Sequence, residues 1–418
     1  MRPRVLIAAY ACLGNAGHPF PGGGDLMAWN VIKRLARSCS LWVLTCEKNR
    51  GAIEKALAVE AIPGVEFHFA ELPGWMTPLL RFPGSLHLHA YLWQWSAYFA
   101  ACRLQRHVRF DLAHHLTYTN DWMASIIGAL LPVPYVRGPG GGAHRIPKPF
   151  LKGLRLGSRL TEIGRSLGQW VFRHDPLFAL SQHRARVILA CNREAIEGVP
   201  ARWRHKVQLL SVNGISGHEL TPPRQQARSE KFAVLSAGRL LPLKGFDLAL
   251  RAFAIFAARH PEAEFTIVGK GPELNRLEGL IHELGIEKQA CIVSWMPREH
   301  LLAVMRSCDV FLFASLRDGG GLVVVEAMAS GKPVVCLDLG GPGLHVNGEC
   351  GFKVPAHDPD QAVRDMAAAL EKLASDRNLC ARMGRAALER ARQVYDWDRV
   401  SERIIEAYEQ APGVSVSE

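Results

Sequence analysis

Short runs of Val, Leu and Ile recur along the chain, separated by longer stretches in which apolar residues return every three or four positions. In the first half the runs are Arg4 to Ala9, Leu41 to Thr45, Leu112 to His115, Val133 to Val136 and Val187 to Ala190. In the second half they are Phe232 to Ala237, Glu264 to Val268, Ala290 to Val293, Val310 to Ala314 and Pro333 to Leu337. Runs this short and this apolar predict strands buried on both faces of parallel sheets and joined by covering helices. Phe246, Leu250, Phe253 and Ala257 keep helical spacing after the first of the second-half strands, which predicts a helix with one face on the sheet and a stop before Pro261. The apolar segment Val5 to Leu13, behind Met1-Arg-Pro-Arg, has the make-up of a short secretory signal. The Gly-rich Gly22-Gly23-Gly24-Asp25 and the amphipathic run after it continue the segment as strand, loop and helix. A buried first strand is therefore the expectation.

At roughly 150 residues per domain, 418 residues make two domains the default. Asn213-Gly214-Ile215 and the polar, Pro-containing stretch Thr221 to Glu230 mark the boundary. The expected division is residues 1–215, residues 216–394, and a closing segment 395–418 with a helix to Glu409. Two doubly wound α/β domains, facing a central cleft with their strand carboxyl ends, are the architecture this implies.

Charge separates the halves. Through Leu220 there are 26 Lys and Arg against 13 Asp and Glu, and after it 24 against 26. A basic first half fits an anionic partner, such as a lipid surface or a phosphorylated substrate. The ten cysteines are scattered, without the paired spacing of zinc or redox motifs, and read as small buried hydrophobes in a reducing compartment. No apolar stretch approaches the roughly 18 residues of a spanning helix, so a cytoplasmic protein is expected, peripheral on the inner membrane face at most.

Three loops carry the candidate chemistry, each directly after a predicted strand and so at the ligand edge of a doubly wound sheet. Gly238-Arg239-Leu-Leu-Pro-Leu-Lys244-Gly245 offers a guanidinium fork and a point charge for a diphosphate. Gly269-Lys-Gly271-Pro272-Glu273 follows the next strand. After a later one, Asp318-Gly-Gly320-Gly321-Leu322-Val323 leads into a helix whose first amides suit an anion. Glu326, eight residues past Asp318, is expected about two turns into that helix, where it can accept hydrogen bonds from ribose hydroxyls. In the first half, His114 and His115 end a strand; either can hydrogen-bond a sugar or acceptor, or be a satisfied core histidine. Gly138-Pro-Gly-Gly141-Gly-Ala-His144-Arg145 follows the next strand, where Gly141 and Arg145 are candidates for holding an anionic acceptor.

Residues Phe232 to Glu409 resemble glycosyltransferase family 4, the retaining nucleotide-sugar transferases of the GT-B fold. The matching pieces are Gly238-Arg239, Lys244-Gly245, the Gly-x-Gly-Pro-Glu at 269–273, the acid at 318 with its Glu at 326, the run Glu326 to Pro333, and the final Trp397 helix. The first half is similar only through Gly22 to Gly24, Asp111 to His115 and Asn213-Gly214. The resemblance implies that Arg239 and Lys244 bind the donor diphosphate, Glu326 the ribose, and residues 318–322 the sugar and phosphates. Gly23, Gly24, Gly238, Gly269, Gly271, Gly320, Gly321, Leu322 and Val323 would complete the donor site, and Asp318, His114 and His115 would join Arg239 and Lys244 in catalysis. It also implies that the last helix crosses back to the first domain. Where the family has Glu-Gly-Phe-Gly-Leu, this chain has Asp318-Gly319-Gly320-Gly321-Leu322, an acid one methylene shorter and no aromatic.

The function expected is retaining transfer of a sugar from a nucleotide diphosphate to the hydroxyl of a glycan or lipid-linked acceptor, in cell-surface glycan, glycolipid or exopolysaccharide assembly. No Asp-x-Asp flanks a strand, so neither metal nor cofactor is expected, and leaving-group charge falls to Arg239, Lys244 and helix amides. A sugar-nucleotide epimerase and a binding protein impaired by Asp318 and Gly320 are the alternatives. A dehydrogenase lacks its Gly-x-Gly-x-x-Gly after the first strand, and nucleic-acid binding lacks aromatic-basic motifs. Finally, Lys148, Lys152, Arg155 and Arg159 form one stripe of a candidate helix, beside Leu156, Leu160, Ile163, Leu167 and Trp170. That apolar stripe either enters an anionic membrane interface or packs on its own sheet.

Overall fold

The computed structural model describes residues 2–12, 23–76, 85–154, 156–220, 231–294, 296–411 and 414. Gly22 and the linker stretch Thr221 to Glu230 lie outside them, as does Arg155 of the basic stripe. The described chain forms two compact units, one of residues 1–143, 163–212 and 397–418, the other of residues 144–162 and 213–396.

The first unit is built on seven strands: β1 (Arg4–Ala9), β2 (Ser40–Cys46), β3 (Val65–Ala70), β4 (Leu112–Thr117), β5 (Tyr135–Gly140), β6 (Ala185–Ala190) and β7 (Val207–Leu209). They pair in the order β3-β2-β1-β4-β5-β6-β7, all parallel. β1 is the expected buried strand; Val5 to Ala9 are inaccessible or nearly so. The sheet separates two apolar clusters, one containing Val5, Ile7, Val31 and Ile32, the other Leu6, Ala8, Trp93 and Tyr135. Burial on both faces is what lets these strands be apolar at successive positions. The Trp397–Glu409 helix belongs to this unit. Trp397, Val400, Ile404 and Tyr408 enter its core, and Asp398 accepts from Arg34 at 2.8 Å and Arg37 at 2.9 Å.

The second unit has β8 (Ala233–Ala237), β9 (Glu264–Val268), β10 (Ala290–Val293), β11 (Val310–Phe313), β12 (Val334–Leu337) and β13 (Gly351–Val354), in the order β10-β9-β8-β11-β12-β13. All neighbours are parallel. The Phe246–Ala257 helix buries Phe246, Leu250, Phe253 and Ala257 against this sheet, as its spacing predicts. Strand order reverses between β8 and β11, which opens a crevice at their carboxyl ends. Residues 144–162 group with the second unit, together with 213–396. The cause is packing, since Ile146 and Phe150 lie in that unit's core and Glu162 pairs with its Arg317.

Candidate functional site

In the second unit the loops after β8 and β9 lie backbone to backbone. Gly238 N–H donates to the Val268 carbonyl at 3.0 Å, and Leu240 N–H to that of Lys270 at 2.9 Å. A Cβ on Gly269 would stand 2.0 Å from the Gly238 oxygen, so no side chain is tolerated there. Gly269 and Gly271 are thereby explained by loop packing, whatever they do for a ligand. Gly245 is needed on two counts: its φ is +64°, and a Cβ would meet the Ala314 oxygen at 2.0 Å. It starts the Phe246–Ala257 helix and fixes Lys244 over the loop after β11.

Lys244 Nζ lies 2.5 Å from Asp318 Oδ2, and Asp318 Oδ1 accepts the Gly321 amide at 2.7 Å. Burial pushes the Asp318 carboxyl up, but the Lys244 charge and hydrogen bond, the Gly321 amide and the His144 charge together hold it below its usual value. Asp318 thus ties the first loop to the third and shapes the turn before the Leu322–Ala329 helix. Leu322 and Val323 open that helix, where backbone amides have no partner within it. Gly320 is held from below: its carbonyl accepts from His345 Nε2 and from Asn213 Nδ2. With Nε2 carrying the proton, His345 Nδ1 accepts from the Tyr395 hydroxyl at 2.9 Å. Burial keeps this imidazole neutral, down to about 4.

Glu326 lies just over one turn into its helix, not two, because the helix begins only at Leu322. Its Oε1 accepts from Arg298 Nε at 2.6 Å, and Arg298 Nη1 also pairs with Glu219. Burial raises the Glu326 pKa against the pull of Arg298. One guanidinium therefore bridges two buried acids and fixes the carboxylate assigned to ribose. Sequence reading missed Arg298 and Glu219. Arg298 follows β10 at the first position of the Arg298–Ser307 helix, so the rule that found the other three loops points to it as well. Arg239 is exposed in the loop after β8.

The remaining candidates divide between the units. Gly23 and Gly24 begin the Gly23–Leu35 helix of the first unit. His114, on β4 of the same unit, is wholly buried. Its Nε2 lies 2.5 Å from the Gly138 carbonyl and its Nδ1 2.7 Å from the Tyr408 hydroxyl, with burial taking its pKa down to about 4. Both nitrogens are spent inside the fold, so the satisfied core histidine replaces the sugar contact. His115 is also buried; burial, Arg137 and His114 lower it to about 3. A Cβ on Gly141 would lie 2.4 Å from Cys191 Sγ, which makes that glycine a packing requirement. Beneath the same loop is Asp121, which sequence reading also missed. It accepts from the Ala143 amide at 3.2 Å, and burial raises its pKa to about 6 despite Arg137 and Arg173. Arg145 is exposed and groups with the second unit, Gly141 with the first. Among the described residues no group of three or more His, Cys, Asp or Glu is arranged to hold a metal.

Residues 219–390 match the family described as glycosyl transferases group 1. The D-inositol 3-phosphate glycosyltransferase of Corynebacterium jeikeium is 37% identical over 183 residues, 42% of this chain and 42% of that protein. Its counterpart in Streptomyces avermitilis is 29% identical over 413 residues, 94% of this chain and 84% of that one. The chain thus spans about two-fifths of the first relative and most of the second. Among solved structures, sucrose-phosphate synthase from Thermosynechococcus elongatus aligns with a TM-score of 0.68 at 18% identity, over 98% of this chain and 99% of that one. Anabaena Alr3699/HepE in complex with UDP-glucose aligns with a TM-score of 0.59 at 19% identity, over 97% and 99%. These structures share the fold, two Rossmann-like sheets of GT-B type.

Proposed function

We propose that this chain, whose residues 219–390 match the family described as glycosyl transferases group 1, moves a sugar from a nucleotide diphosphate to an acceptor hydroxyl with retention of anomeric configuration. One observation carries the reading. The Lys244–Asp318–Gly321 link draws the loops after β8 and β11 together at the strand-order reversal, next to exposed Arg239 and the open amides of the Leu322–Ala329 helix. That is a cationic, amide-rich seat for a diphosphate, with Glu326, oriented by Arg298, available to the ribose hydroxyls.

In the proposed step the bond from the anomeric carbon to the diphosphate breaks while the acceptor oxygen bonds to that carbon on the same face. The acceptor proton passes to a donor phosphate oxygen. Negative charge grows on the diphosphate, and Arg239, Lys244 and the helix amides stabilise it. The reaction is proposed to need no metal, so a chelator should leave turnover unchanged; activity lost to chelator and restored by a divalent ion would overturn this. The Gly320 position, without the family's aromatic, leaves room beside the transferred sugar. UDP-glucose, carried by Alr3699/HepE, is the donor to try first, and the acceptor is a glycan or lipid-linked alcohol of cell-surface assembly.

The test is calorimetry with UDP, GDP and ADP and their sugars, followed by sugar release without acceptor. Binding of one nucleotide sugar with slow release of its sugar is expected. Binding to none of them would overturn the reading, and conversion of the donor to its epimer would replace it with the epimerase.

A further inference from the structure

The Leu156–Arg173 helix is turned the wrong way for a surface helix, which ordinarily buries its apolar face and offers its polar face to water. Here the inward residues are mainly polar, with Phe172 packed on Tyr91 and Trp122 as the apolar exception. Gln169 is buried and donates to the Gly142 carbonyl at 2.8 Å, Arg165 donates to the same oxygen, and Glu162 pairs with Arg317. The outward residues are Leu156, Leu160, Ile163, Leu167, Trp170 and Val171, each between 55% and 72% exposed. Their spacing puts them on one stripe, and the packing of that stripe on its own sheet, open from the sequence, is ruled out by these exposures.

We propose that this stripe docks on an anionic bilayer surface, with the helix lying in the plane of the interface. An apolar face this continuous marks a partner, and the charges around it say which. Residues 145–174 hold seven Lys and Arg against one Glu; Glu162 faces inward, and so do Arg165 and Arg173. Exposed Arg145, Lys148 and Lys152 precede the helix, and Arg159 borders the stripe. Cations flanking an apolar face reach lipid phosphates while the face enters the headgroup boundary, and the indole of Trp170 suits that depth. A second copy of the chain would bring the same cations together across a two-fold axis, which like charges oppose. Spanning is not involved, since no helix among the described residues is long and apolar enough to cross a membrane. The inference rests on this helix alone and stands or falls separately from sugar transfer.

Full-length protein is co-sedimented with vesicles of phosphatidylglycerol and phosphatidylcholine, and with pure phosphatidylcholine vesicles, at low and high salt. The expected result is binding to the anionic vesicles that salt weakens. Leu160→Ser with Leu167→Ser, both exposed and so harmless to folding, should lower the partition coefficient by about tenfold or more. Lys148→Glu with Lys152→Glu should do the same through charge, at roughly fivefold per lysine. Melting temperature and nucleotide affinity should stay at the unmodified values in both variants. No binding, equal binding to both vesicle types, or binding untouched by either pair would overturn the proposal. So would a dimer in light scattering that Leu160→Ser with Leu167→Ser dissociates.

Discussion

The two parallel sheets handle charge in opposite ways. In the first unit, ionisable groups stand inside strands. His114 and His115 on β4 and Arg137 on β5 are buried, and His114 and Arg137 are answered by backbone carbonyls, at Gly138 and Asn120. In the second unit β8, β11 and β12 carry no charged side chain, and the charges begin past the strand ends, at Arg239, Lys244 and Asp318. A polar group within a strand covered on both faces must be satisfied by the fold itself. Just beyond the carboxyl ends, Lys244 and Asp318 pair with each other in a loop-to-loop link, and Arg239 stays exposed to a ligand. Position relative to the strand end, more than residue type, separates packing from chemistry here.

Acid gives the largest expected effect. His114 and His345 are held down to about 4 and His115 to about 3, against an ordinary value of 6.5. The unfolded chain therefore takes up protons first. Stability is full above pH 6.5 and is lost as pH falls through the folded values, on the order of 3 kcal/mol for each histidine. Denaturant titrations between pH 7 and pH 4 measure the loss, and hydrogen exchange should show the first unit, with two of the three, opening before the second. Flat stability over that range would break the comparison.

Next in size is Arg298→Ala, which strands Glu219 and Glu326 as buried acids. Because Arg298 is itself partly exposed, the cost should fall near the lower end of the range for broken buried pairs, about 3 kcal/mol in chemical denaturation. Arg298→Lys, which keeps the charge but not the fork, should recover part of the stability and leave nucleotide binding weakened. Full recovery of binding with lysine would reduce Arg298 to a counter-charge. Smaller again is Tyr408→Phe, which leaves His114 Nδ1 without its donor at a cost of about 1–3 kcal/mol. Nucleotide affinity should not move, and a loss of affinity at unchanged stability would restore His114 to the site.

The interior strands were legible in the sequence, and three of the four edge strands were not. β1 and β9 begin and end where their apolar runs do, as does β10, an edge strand that is apolar throughout, whereas β3, β7 and β13 went unread. All three are edge strands, which need not be apolar throughout: β3 carries Glu66 and His68, β13 carries Lys353, and β7 is three residues long. The same limit applies to the site. Arg239, Lys244 and Asp318 announced themselves because glycines mark their loops. Arg298, Glu219 and His345 act through partners at least 25 residues away in sequence, at Glu326 and Gly320, and no local pattern records such pairs. The Leu156–Arg173 helix shows the converse, since periodicity disclosed its apolar stripe but not that the stripe faces outward.

Arg239, exposed past the end of β8, acts on a ligand without supporting the fold. Arg239→Ala tests it in one measurement, donor-sugar release at saturating and limiting nucleotide sugar, with folding stability taken on the same sample. The expected result is stability within about 0.5 kcal/mol of the unmodified protein, with kcat lower by about 100-fold or more because a transition-state donor is lost. An unchanged kcat, or an effect confined to KM, would contradict the account.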